Sequence, residues 1–106
     1  MEQPQGLINI LLDTNSEFGD RDDAAMDLSR YDDPAVEKAL IQIASNPHED
    51  PDLLDTCGES LAEIWIRREF FDSTNILKLT DIAQTIAIAT IKVHRPDWGD
   101  LIPKKS

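Results

Sequence analysis

A chain of 106 residues with 41% hydrophobic residues is long enough for a single domain, residues 1–106, to bury a core without metal or disulfide support. Its 21 acidic residues against 10 basic ones give a net charge of −11, which repels phosphate backbones and anionic lipid and so argues against nucleic-acid or membrane partners. The same charge favours a basic partner and speeds its approach.

In chain order, residues 1–6 are polar and hold Pro4 and Gly6, and Leu7, Ile8, Ile10, Leu11 and Leu12 then form a short apolar segment. It is read as a helix packed on its neighbour. Asp13-Thr14-Asn15-Ser16 is turn chemistry, since these side chains bond their own nearby backbone. From Gly19 to Tyr31 a second helix is expected, with Ala24, Ala25 and Leu28 buried and acidic residues crowding its positive dipole end. Asp33-Pro34 starts a third as cap and first helical residue, and Val36, Leu40, Ile41, Ile43 and Ala44 give it an apolar face. Asn46-Pro47 closes it.

Asp50 and Pro51 repeat the cap-then-proline start for a central helix that should run to about Arg68. At 100° per residue Leu54, Cys57, Leu61 and Ile64 share one stripe, and Gly58 and Ala62 beside it let another helix approach closely. Cys57, the only cysteine, is expected to be a core residue of a protein in a reducing compartment. Beyond this helix, Phe70 and Phe71 are expected to cover an end of the core. Asp72 or Ser73 caps a brief turn with Ile76, Leu77 and Leu79. Residues 80–95 alternate enough to suggest a strand, yet Thr80-Asp81 resembles a cap, Ile82, Ala83, Ile86, Ala87 and Ile91 keep helical spacing, and no second strand exists to pair with. Helix is the reading. Trp98, Leu101 and Ile102 are expected to fold back over it.

Little suggests chemistry. His48 and His94 have no cysteine or second histidine at ligand spacing, the acidic stretch from Asn46 to Asp55 lacks calcium-loop grammar, and no glycine run cradles phosphate. No enzyme, cofactor or metal is expected. No leader opens the chain and no apolar run nears the roughly 20 residues that cross a bilayer, so a cytoplasmic location is expected. The candidate binding residues are two acidic lines. Asp20, Asp23 and Asp27 form one, and Asp55, Glu59 and Glu63 the other, with spacings that stack side chains on a helix. Trp65 is a candidate aromatic anchor beside the second line.

The order short helix, turn, longer helix recurs about three times, over residues 7–30, 33–68 and 73–95, which is the period of helical-repeat proteins. The expected fold is all-α, a short solenoid of about three antiparallel helix pairs. Asp32-Asp-Pro-Ala-Val-Glu-Lys-Ala-Leu-Ile41 followed by Glu49-Asp-Pro-Asp-Leu-Leu-Asp-Thr-Cys-Gly-Glu-Ser-Leu-Ala-Glu-Ile64 resembles HEAT repeats of the phycobilisome-lyase type, and Asp22-Asp-Ala-Ala-Met-Asp-Leu28 echoes the second helix of that repeat. The resemblance covers about residues 20–95 and implies protein binding through the second helices. The chain is too short for it to imply the lyase reaction. In size, charge and repeat type the chain also resembles immunity proteins of bacterial contact-dependent growth inhibition. That likeness implies a basic RNase-type toxin as partner, neutralised by covering its active site. The alternative is a HEAT-repeat scaffold or adaptor with a non-toxic partner.

Overall fold

A proline behind an acidic cap sets where the third and fourth helices begin. In the computed structural model, which describes residues 2–103, every regular element is helical: α1 is Gln5–Leu12, α2 Phe18–Leu28, α3 Pro34–Ala44, α4 Pro51–Arg68, α5 Ser73–Ile76 and α6 Asp81–His94, and a 3-10 helix spans Pro96–Leu101. Asp33 and Asp50 accept from the backbone N–H two residues on, at 2.9 and 2.8 Å, with Pro34 and Pro51 as the first helical residues. Thr80 caps α6 by accepting from the Ala83 N–H. The β-branched residues of 82–93 therefore form a helix.

α4 is the centre of the molecule. It packs against α3, against α2 on one flank and against α6 on the other, while α1 packs on α2 and touches α3. Its inner side holds Leu53, Leu54, Cys57, Leu61, Ile64 and Trp65, all buried. Each large aliphatic side chain withdrawn from water in this way contributes about 1.5–3 kcal/mol. Gly58 marks the closest approach to α6: a Cβ there would collide with the Ala83 carbonyl oxygen and stand 2.7 Å from Ile86 Cγ2.

Side chains of α4 tie it to α2 in a regular order. The Thr56 hydroxyl donates to Asp22 at 2.5 Å, the Ser60 hydroxyl to the Ala25 carbonyl at 2.8 Å, and Arg67 to the Ser29 carbonyl at 2.6 Å. The sequence separations are 34, 35 and 38, so the two helices run parallel with a nearly constant offset. Arg67 also holds Asp32, and Arg68 pairs with Glu37 at the start of α3, which sets α3 antiparallel to α4. A backbone bond of 2.9 Å from Thr80 N–H to the Ala44 carbonyl joins the start of α6 to the end of α3.

Two expectations are corrected at the end of the core. α4 stops at Glu69, whose φ of 55° is left-handed, and the Phe70 N–H turns back to the Trp65 carbonyl. That reversal aims Phe71 inward, between Trp65 and Trp98 with ring centroids 6.4 and 5.8 Å away, and leaves Phe70 57% exposed. Trp98 is buried against the core as expected, but Leu101 is exposed.

Candidate protein-binding face

Burial on one side of α4 decides what its other side can offer. Asp55, Glu59 and Glu63 recur every fourth residue and are exposed, forming a ridge about 12 Å long at 1.5 Å per residue. The four ion pairs among the described residues are Arg21–Glu49, Arg67–Asp32, Arg68–Glu37 and Arg95–Asp97. None of them draws on the ridge, nor on Asp20, Asp23 or Asp27. Arg21, Arg67, Arg68 and Arg95 are the cations these pairs use, and among the described residues no ion pair compensates the ridge.

A cleft flanks the ridge on each side. Toward α2, Glu59 and Glu63 line a hollow of about 180 Å³ with Thr56, Ser60 and Met26. Toward α6, Asp55 lines a larger hollow of about 420 Å³ with Asp81, Ile82, Thr85, Ile86 and Ala89. The other acidic line lies elsewhere. Asp20, Asp23 and Asp27 border a cleft between α1 and α2 with Leu7, Ile10, Ser16 and Ala24. The two acidic lines are thus not brought into one cleft, because α2 turns Met26 toward Glu59 and Glu63 and carries Asp20, Asp23 and Asp27 on its α1 side.

Trp65 is corrected from partner contact to core residue. It has no exposed surface, and it packs against Phe71 with its indole N–H unpaired. Its place in the sequence, two residues after Glu63, puts it about 200° round the helix from that carboxylate.

Cys57 lies inside, where burial and then the nearby carboxylates of Asp22 and Glu49 push its thiol up to about 12. A thiol so protonated is a poor nucleophile. Among the described residues no cluster of histidine, cysteine and carboxylate side chains has the geometry to hold a metal ion, and no helix is long and apolar enough to cross a membrane.

Sequence reasoning missed Arg21, Met26 and Ile82. Arg21 reads as one more charge on an acidic helix but is 8% exposed, with its Nε donating to the Leu11 carbonyl at 2.9 Å. Ile82 keeps spacing with the buried residues of α6 yet is 43% exposed, and Met26 is 49% exposed. The spacing itself held the signal for Ile82, since α6 carries more apolar residues than one buried stripe can use.

Compared with protein-family models, with curated proteins and with solved structures, the chain matches none of them.

Proposed function

We propose that this chain is an acidic, HEAT-like helical-repeat module that binds a basic protein and neutralises it. The partner is an RNase-type toxin of the contact-dependent growth inhibition kind, and binding covers the surface on which that toxin holds RNA. The observation that carries the reading is the uncompensated ridge of Asp55, Glu59 and Glu63 on the exposed side of a rigidly packed helix. An enzyme that grips RNA needs a cationic surface around its reacting atoms. A ridge of carboxylates competes for that surface in the way a phosphate backbone does, and it draws the toxin in through long-range attraction.

The repeat architecture is part of the proposal. The near-constant offset of 34–38 residues between bonded positions of α2 and α4 matches one helical repeat, and it supports reading α1–α2 and α3–α4 as successive units. In the third unit the first helix shrinks to the four residues of α5.

The test is capture of basic proteins from the native host at low salt, release at high salt, and an RNA-degradation assay on the eluate. The expected result is a nuclease whose activity returns on release and falls again when the chain is added back. Replacing Asp55, Glu59 and Glu63 together by lysine should abolish that suppression. A captured partner with no activity to suppress would overturn the inhibitor reading in favour of an adaptor, and suppression that survives the triple replacement would clear the ridge.

A further inference from the structure

α6 is apolar on two separate faces. Ala83, Ala87 and Ile91 are buried in the core. Ile82, Ile86, Ala89 and Val93 fall on a second stripe, within an arc of about 60° at 100° per residue. Ile82 is 43% and Val93 75% exposed, so this stripe is open to solvent over much of its length. It runs beside α4, where Ile82, Ile86 and Ala89 form the wall of the 420 Å³ cleft that Asp55 shares. That volume is within the roughly 300–1,000 Å³ usual for ligand pockets. Gly58 lets α6 lie close against α4, with Ile86 packed into the seam between them.

We propose that this α4–α6 groove receives one amphipathic helix of the partner. Aliphatic side chains of that helix, at i, i+3 or i+4, and i+7, would fill the isoleucine-lined cleft. Lysine or arginine on its flank would face Asp55 and the ridge behind it. The inference rests on the basic-partner reading and names the part of the partner that enters. Charge selects the occupant: a second copy would bring another −11 to the same place, and an anionic membrane is repelled for the same reason. Only a segment that is both apolar and cationic satisfies the stripe and the ridge together.

The test uses the full chain and two fluorescein-labelled, lysine-rich helical peptides of equal charge and about 15 residues, a length that supports some helix in water. One carries leucine at the i, i+3, i+7 positions and the other alanine. At physiological salt (about 150 mM) the leucine peptide should bind at least about tenfold more tightly, the least expected of one buried leucine. The Ile82 and Ile86 methyl resonances should shift on binding. Ile82→Lys should remove the preference, and Ala89→Gln, at an exposed site, should weaken it while leaving the thermal transition in place. Equal affinity for the two peptides, or a leucine preference untouched by both substitutions, would overturn the groove. If equal binding is then lost on replacing Asp55, Glu59 and Glu63 by lysine, the basic-partner reading stands without the groove. Binding of neither peptide, even at low salt, removes both.

Discussion

Arg21 and Glu49, 28 residues apart in the chain, meet as a two-pronged pair at 2.8 and 3.1 Å with only 9% and 11% of their side chains exposed. The pair fixes the loop before α4 to α2, and through the Leu11 carbonyl it also holds the end of α1. Removing one member leaves the other charged and buried. Glu49→Ala should therefore lower stability by about 3–5 kcal/mol in urea denaturation, whereas replacing both, Arg21→Met with Glu49→Leu, should lower it by less than the single change. A double-variant loss equal to the sum of the two single losses would show that the two charges act independently.

Gly58 and Gly19 should respond oppositely to alanine. Both lie in helices, where alanine is favoured over glycine by about 1 kcal/mol. At Gly19 a Cβ meets nothing within 4 Å, so Gly19→Ala should raise the melting temperature. At Gly58 the added methyl strikes the backbone of Ala83, and α6 must shift. Gly58→Ala should cost about 1–3 kcal/mol despite the helical gain, which calorimetry on the two variants would reveal.

Cys57 gives alkaline pH a specific effect. Its folded-state pKa of about 12 is above the ordinary thiol value of 9.0, so the native state holds this proton more tightly than the unfolded chain. The stability this supplies is complete below pH 9 and declines as pH rises from there toward about 12. Parallel urea titrations should show a steeper loss of stability across that window in the parent than in Cys57→Ala. The native thiol should also resist a disulfide reagent at neutral pH and react once urea unfolds the chain.

The ridge should be dispensable for folding. Glu59→Gln removes two like-charge neighbours at spacing four and breaks no bond of the structure, so stability should stay within about 0.5 kcal/mol and tend upward. A large loss in thermal denaturation would mean that the ridge supports the fold.

Much of this structure was legible beforehand because its signals are local. A cap and a proline at Asp33-Pro34 and Asp50-Pro51 act on the next turn of backbone, and the stripe of Leu54, Cys57, Leu61 and Ile64 is a property of one helix. What escaped depends on partners distant in sequence. Arg21 is buried because Glu49 and the Leu11 carbonyl receive it. Phe70 and Phe71 are parted by the backbone turn at Glu69, which sends only Phe71 to the core. The separation of the two acidic lines depends on how α2 is rotated against α4, which no periodicity in either helix specifies.

α4 keeps its two duties on different arcs. Ser60, Arg67, Gly58 and the buried leucines secure the neighbouring helices, while Asp55, Glu59 and Glu63 secure nothing within the molecule. Substitutions on the outer arc are therefore nearly free of structural penalty. Under the proposed binding role, the ridge can be rewritten over evolutionary time, even to the opposite sign, on an inherited scaffold, so diversification should concentrate at three solvent-facing positions of the nine-residue stretch 55–63 and spare the buried residues between them.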